Sequence, residues 1–324
     1  MAQYITVQQA LDMINEGDEI VTGLGCAEAH AILSEIHTIA PRIQQPVEIT
    51  NCLPMSDFKF QDGEYSDKFF VNGWFYSPTI RKIHKNGNAS YIPNHLHSAG
   101  TRRLEHKVPR FYIGSCSAVD EHGYISLSMS NTYEKQMIDK VEVVILETNP
   151  NFPRTFGDVQ IHVDDIQYLI EADYPVPIIE SVDPNEKDEI IGKLIADLIK
   201  DGDCIQLGIG GIPNAVARAL YDKKDLGVHT EMLTSEMAKL AKAGVITGAK
   251  KQKQKGKMVT TFVMGDQELY DFVDNNPIVE VLNGAYVNNP FVISQNDNQV
   301  SINTAIEIDL SGQVASESIG HIQY

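Results

Sequence analysis

The sequence predicts two related open α/β domains, and three observations lead there. Short apolar runs, several of them β-branched, alternate with stretches of helical periodicity along the whole chain, the pattern of a mainly parallel sheet flanked by helices. The pattern also occurs twice. Gly17-Asp18-x-Ile20-x-x-Gly23-x-Gly25 returns as Gly202-Asp203-x-Ile205-x-x-Gly208-x-Gly210, an offset of 185 residues between Gly17 and Gly202. Asp120-x-x-Gly123-x-x-Ser126 then returns as Asp309-x-x-Gly312 followed by Ala315, an offset of 189 between Asp120 and Asp309. Two matches at nearly one offset identify an internal duplication. The predicted domains are residues 1–183 and 184–324, with the second cut short because the counterpart of the run at Val141 would fall beyond Tyr324.

Taken in order, Thr6 and Gln9 have capping-box spacing ahead of a Val7, Ala10, Leu11, Ile14 stripe, which predicts a helix closed by Gly17. Glu19–Thr22 reads as a strand, followed by a glycine turn and an apolar helix through Ala31, Ile32 and Ile36. Further strands are predicted at Val47–Thr50, Arg110–Ile113, Met258–Met264 and Ile278–Leu282. Val141–Leu146 is a near-continuous apolar run, as in a strand covered on both faces of a parallel sheet. A proline-bearing passage, Tyr174–Asn185, joins the halves, with Asp183 as cap and Pro184 as first residue of a helix whose buried face is Ile190, Ile191, Leu194, Ile195 and Leu198.

Composition excludes several classes. An apolar fraction of 43% and a charged fraction of 22% fit a globular chain, and no run approaches the ~20 apolar residues of a membrane span. No signal peptide opens the chain, so a cytoplasmic location is expected. Cys26, Cys52, Cys116 and Cys204 lack the paired spacing of a zinc site or disulfide framework and read as reduced core thiols. A net charge of −18 repels nucleic acid and anionic lipid, so an anionic small ligand needs a local device to hold it.

Such a device is predicted at Asp201–Met232. Cys204–Leu207 is a strand, and Gly208, Gly210 and Gly211 turn it without a Cβ in the way. Pro213 suits the first turn of a helix whose stripe is Val216, Ala219 and Leu220, and the N–H groups at that helix start face an anion. The chain then returns to Val228-His229-Thr230-Glu231, placing a carboxylate just past a strand end, where ligands sit in open α/β sheets.

Here the residues carry a resemblance. Gly208-Ile209-Gly210-Gly211-Ile212-Pro213-Asn214-Ala215-Val216, Gly227-Val228-His229-Thr230-Glu231-Met232, Tyr286-Val287-Asn288-Asn289-Pro290-Phe291 and Ser301-Ile302-Asn303-Thr304-Ala305 resemble the acetyl-CoA hydrolase/transferase family, over the length of the chain. The resemblance implies CoA-transferase-type domains and ping-pong exchange of coenzyme A between short carboxylic acids such as acetate, butyrate or 4-hydroxybutyrate. It puts Glu231 at the nucleophile, Asn288 beside it orienting the carboxylate and stabilising acyl-oxygen charge, and Gly208, Ile209, Gly210, Gly211 and Ile212 against CoA. It implies coenzyme A as a substrate, with no permanently bound cofactor and no metal. Family members continue beyond a stretch like Ser318-Ile319-Gly320 into a further glycine-rich loop, which sets the expectation that this chain lacks the C-terminal part. A truncated sheet would leave an exposed edge, and a homo-oligomer is the expected state.

Plainer readings stand beside these. A glutamate in a loop is ordinarily a solvated surface residue, the glycine run can be a tight turn only, and Asn288 and Asn289 before Pro290 can be turn formers. Glu236 reads as a surface carboxylate, His229 as a structural hydrogen-bond former, His95 and His97 as loop residues, and the lysines at 250, 251, 253, 255 and 257 as a solvated loop. Rival functions are acyl-CoA hydrolysis, sugar-phosphate isomerisation on a comparable sheet, and non-catalytic CoA binding.

Overall fold

The capping box at Thr6 forms. Its Oγ1 accepts from Gln9 N at 3.2 Å and the Gln9 side chain accepts from Thr6 N at 2.8 Å, which starts the helix Val7–Met13. Gly17, at φ +73°, then turns the chain into its first long strand, a backbone conformation that favours glycine. The computed structural model describes residues 2–323 and divides into two compact units at Pro177 and Ile178. The division falls a little ahead of the expected 183/184 junction because Ile179 N donates to Gly265 O and Asn214 Nδ2 donates to Val182 O, tying this passage to the second unit.

The first unit holds strands β1 (Gln3–Tyr4), β2 (Glu19–Thr22), β3 (Val47–Asn51), β4 (Phe69–Gly73), β5 (Ala89–Tyr91), β6 (Phe111–Ser117), β7 (Val143–Asn149) and β8 (Tyr168–Glu171). They run in the order β1-β8-β7-β6-β2-β3-β4-β5, every neighbouring pair parallel. Every residue of β6 and β7 is buried, as the apolar run at Val141 predicts for strands covered on both faces. The order reverses beside β2, which makes its C-terminal end a topological switch point.

The second unit repeats this skeleton. Strands β9 (Cys204–Leu207), β10 (Gly227–His229), β11 (Met258–Thr260), β12 (Val279–Val281) and β13 (Gln299–Ile302) lie in the order β13-β9-β10-β11-β12, all parallel. So β9 sits between β10 and β13 as β2 sits between β3 and β6. The duplication extends to single hydrogen bonds. Asp18 Oδ2 accepts from Asn15 N at 2.6 Å and Asp203 Oδ2 from Lys200 N at 2.7 Å. Gly23 N donates to Ile113 O, and Gly208 N to Ile302 O. Asp120 Oδ1 accepts from His122 N and Tyr124 N, and Asp309 Oδ1 from Ser311 N and Gln313 N. Gly123 and Gly312 complete these two turns at φ +82° and +89°.

Three expectations are corrected. Asn185, not Asp183, caps the helix Glu186–Ala196, because its side chain accepts from Lys187 N and Asp188 N. The face which that helix buries is Gly192 and Ala196, not the predicted stripe: Ile190, Leu194 and Leu198 are 60%, 63% and 76% exposed. A Cβ on Gly192 would come within 2.7 Å of the Ala215 backbone, so the neighbouring helix Gly211–Ala219 approaches on the small residues and leaves the bulky ones outward. The predicted strand Met258–Met264 breaks at Thr261, between β11 and Phe262–Val263. Among the described residues, no helix is long and apolar enough to cross a membrane.

In the first unit, Glu147 sits wholly buried on β7. It accepts from Ile32 N at 2.7 Å, Ala31 N at 3.0 Å and the Tyr174 hydroxyl at 2.6 Å. Burial nevertheless pushes its carboxyl from 4.5 up to about 7, against those donors. The folded state therefore holds a proton between those values that the unfolded chain has lost. The stability this carboxyl contributes is full below about pH 4.5 and is lost as pH rises towards 7. We expect Glu147→Gln to lower stability by about 1–3 kcal/mol, because one N–H loses its acceptor, and to remove part of the fall in melting temperature over that window. Thermal unfolding from pH 4.5 to 7.5 checks this, and an unchanged pH slope would contradict it.

Candidate active site

Glu231 follows Thr230 at the end of β10, and its main chain is fixed from the next strand. Glu231 O accepts from Thr261 N at 3.0 Å, Phe262 N at 3.2 Å and Thr260 Oγ1 at 3.0 Å. The strand from Met258 breaks at this point and pairing resumes beyond it, where Phe262–Val263 runs parallel to Met232–Leu233. Upstream, the Lys251 ammonium donates to Val228 O at 2.7 Å and Lys257 O at 2.8 Å. Gln299 Nε2 donates to His229 O at 3.0 Å. Lys251 is 4% exposed, which corrects the solvated-loop reading at that position, and burial lowers its pKa to about 8.

The side chain that this backbone presents meets Asn288, whose Nδ2 donates to Glu231 Oε2 at 2.5 Å. Asn288 closes the short helix Gly284–Val287. His229 ties that helix to the strand through a 2.8 Å bond from Nε2 to Val287 O, so the structural role read for this histidine is the one observed. The resulting pocket, about 220 Å³, is lined by Gln206, His229, Thr230, Glu231, Asn288, Gln299, Ser301 and Asn303 among others. It lies where β9, β10 and β13 end, at the switch point of the second sheet. Gln206 Oε1 accepts from Ser301 Oγ at 2.5 Å and Asn303 Nδ2 at 3.1 Å, closing one wall.

The Glu231 carboxyl is held above its ordinary range by burial, with the Asn288 bond pulling the other way. The side chain stays exposed to the pocket, so solvent there damps the shift while the protein atoms crowding the remainder sustain it. The glycine run is placed elsewhere. Gly210, at φ +109°, caps the helix Gly211–Ala219. Ile209 and Gly210 line a separate, mainly apolar pocket of about 150 Å³ with Thr234, Ser235, Glu236 and Gly265. Gly208 packs near Asn303 Oδ1, where a Cβ would come within 3.3 Å, and a Cβ on Gly211 would come within 2.4 Å of Asp188, so Gly211 serves helix packing. Gly208, Gly211 and Ile212 line neither pocket. Glu236 is 4% exposed and paired to Lys239 at 2.8 Å, so it is not a surface carboxylate. His95, in the loop just before the helix Leu96–His106, stacks on His97 in its first turn, so the loop reading holds for His95 and is corrected for His97. Among the described residues, no three His, Cys, Asp or Glu side chains are grouped to hold a metal ion.

Sequence reasoning missed Gln206, Gln299 and Lys251. The available signal was Gln206 itself, a polar residue inside an otherwise apolar strand next to the glycine turn.

Fold and site together define a class: an open α/β enzyme with a carboxylate presented at a sheet switch point. The chain belongs to the acetyl-CoA hydrolase/transferase family, whose N-terminal domain profile matches residues 2–180 and whose C-terminal domain profile matches residues 265–324. The 4-hydroxybutyrate coenzyme A transferase of Clostridium kluyveri is 38% identical over 322 residues, 98% of this chain and 74% of that protein. The succinyl-CoA:cyclohexane-1-carboxylate CoA transferase of Geobacter metallireducens is 42% identical over 255 residues, 78% of this chain and 58% of that protein. Among solved structures, RipA from Yersinia pestis matches with a TM-score of 0.93 at 30% identity, over 98% of this chain and 76% of that one. The 4-hydroxybutyrate CoA-transferase of Porphyromonas gingivalis matches with a TM-score of 0.83 at 32% identity, over 96% and 75%. The chain is an enzyme of the acyl-CoA:carboxylate CoA-transferase class.

Asn288→Ala removes the one side-chain donor that lowers the Glu231 pKa. We expect the carboxyl to titrate higher in the variant than in the native protein, read by carbon-13 NMR of labelled glutamate. A pKa that stays put or falls would show that the bond does not tune the carboxylate.

Proposed function

We propose that this protein exchanges coenzyme A between a short-chain acyl-CoA and a carboxylic acid by a ping-pong mechanism through Glu231. The observation that carries the reading is the Asn288–Glu231 pair inside a switch-point pocket, with the glutamate backbone pinned by Thr260, Thr261 and Phe262. A Glu231 carboxylate oxygen attacks the acyl-CoA carbonyl, and the C–S bond breaks to give a mixed anhydride and CoA thiolate. The thiolate attacks the glutamyl carbonyl of that anhydride, forming glutamyl-CoA thioester and releasing the first acid as its carboxylate. The acceptor carboxylate then attacks the thioester and the two steps run in reverse order, regenerating Glu231. Every step exchanges one carboxylate or thiolate for another, so no ATP, metal or permanently bound cofactor enters. Asn288 orients the nucleophile, and once Glu231 is acylated its freed Nδ2–H can donate to charge developing on the acyl oxygen. Ile209 and Gly210, in the neighbouring pocket, supply contacts for CoA. Acetate, butyrate and 4-hydroxybutyrate are the acids this reading favours, and the cytoplasm is the compartment.

Incubation with acyl-CoA and no acceptor should raise the intact mass by one CoA, with borohydride trapping the adduct on the peptide that contains Glu231. Glu231→Gln should bind CoA and lose both adduct and exchange, whereas replacement of the exposed Glu268 should leave both intact. An adduct mapping elsewhere, or full exchange by Glu231→Gln, would overturn the mechanism.

The outward stripe of Ile190, Leu194 and Leu198 supports a homo-oligomer. Light scattering should report a mass above that of a single chain, and Leu194→Lys should shift it downward. A monodisperse monomer of the native protein would refute association.

A further inference from the structure

Three atoms around Glu231 have their hydrogen-bonding sense fixed by one partner and are then left without another. Val287 O can only accept, so the 2.8 Å contact makes Nε2 of His229 the ring N–H and leaves Nδ1 with a lone pair. Burial holds the ring below its ordinary pKa and keeps it in that neutral form. His229 O accepts from Gln299 Nε2, which makes Gln299 Oε1 an acceptor. Glu231 Oε2 accepts from Asn288 Nδ2, which makes Asn288 Oδ1 an acceptor. Nδ1 of His229, Oδ1 of Asn288 and Oε1 of Gln299 are all buried without a partner, and all three residues line the Glu231 pocket. His229 is 1% exposed. A buried acceptor left unpaired is destabilising. Three of them around one cavity, beside a carboxylate, describe a site completed by donors that arrive with the ligand.

We infer that this acceptor wall is the recognition surface for hydrogen-bond donors of the acyl-CoA, and that His229 Nδ1 is a substrate-binding atom. The inference rests on the reading of Glu231 as nucleophile. The donor is an N–H of the CoA arm or an O–H of a hydroxylated acyl chain. With sulfur at the Glu231 carbonyl, the first amide N–H of CoA lies two methylenes further along, a reach suited to the same pocket. The wall also discriminates: on that side of the pocket a free carboxylate meets three acceptors and the resting Glu231, whereas a neutral thioester carrying N–H groups meets its complement. A site whose polar groups are left unpaired by the wrong ligand rejects that ligand strongly.

The two ring nitrogens can be separated by substitution. His229→Gln keeps an amide near the Nε2 position, able to donate to Val287 O, and has no acceptor where Nδ1 stood. His229→Asn places its amide at the Nδ1 position and gives up the Val287 bond. Calorimetry on the full chain would use two unreactive thioethers, S-butyl-CoA and S-(4-hydroxybutyl)-CoA. We expect His229→Gln to weaken binding on the order of tenfold, and His229→Asn to weaken it less. Equal weakening for both thioethers assigns the donor to the CoA arm, and weakening confined to the hydroxylated one assigns it to the acyl chain. Gln299→Met, which removes a second acceptor of the wall, should weaken binding similarly and serves if His229→Gln does not fold. Unchanged affinity in His229→Gln would mean that no ligand donor meets this acceptor and would overturn the inference, as would larger losses in His229→Asn, which would leave His229 only its bond to Val287. The adduct on native Glu231 is scored separately. An adduct with no binding change in His229→Gln sinks this inference alone, whereas a missing adduct sinks the nucleophile reading.

Discussion

The structure of the site depends on one acceptor, the main-chain carbonyl of Glu231, and the three donors that converge on it. Thr261 N, Phe262 N and Thr260 Oγ1 all come from the adjacent segment, at the break between its two strand pieces. A buried carbonyl paired this fully cannot rotate without stranding several groups at once. The side chain of Glu231 is therefore aimed by backbone geometry before any ligand arrives, the pre-organisation that the nucleophile role proposed for it requires. Lys251 and Gln299 extend the same logic upstream by occupying the carbonyls of Val228 and His229.

Each unit holds a buried or partly buried carboxylate, at different places in its sheet and for opposite ends. In the first unit Glu147 is enclosed, with two amides from the start of the helix His30–Glu35 and the Tyr174 hydroxyl covering its oxygens. Tyr174 in turn meets Ser115 at 2.7 Å, so the group is closed into a network. In the second unit Glu231 has Asn288 as its side-chain partner and an open pocket before it. Both carboxyls are raised by burial, but Glu147 is a structural knot whereas the Glu231 side chain faces a pocket with one oxygen bonded to Asn288.

Much of this was legible in the chain itself. Motifs made of short-range bonds came through intact: the Thr6 capping box, the glycine turns, and the Asp-x-x-Gly turns at Asp120 and Asp309 whose side chains bond their own backbone. The helix at Glu186 did not, because its apolar stripe and its packing face differ. Periodicity shows where bulky residues lie, whereas close approach of a second helix is set by Gly192 and Ala215. Glu236 and Lys251 were misread for a related reason, since a charged residue is buried when partners from elsewhere in the fold meet it, and those partners leave no local mark.

By itself the sequence determined the repeat, the alternation of strands and helices, and the position of Glu231 just past a strand end, because each follows from residue type and spacing within a short window. Tertiary structure alone decided what surrounds that glutamate. Gln206, Asn288, Gln299 and Ser301 come from segments up to about a hundred residues apart, and they meet Glu231 because parallel strands joined through crossovers bring distant stretches to one sheet edge. The sense of each hydrogen bond there, and hence which atoms remain as acceptors for a ligand, depends on partners that only folding supplies.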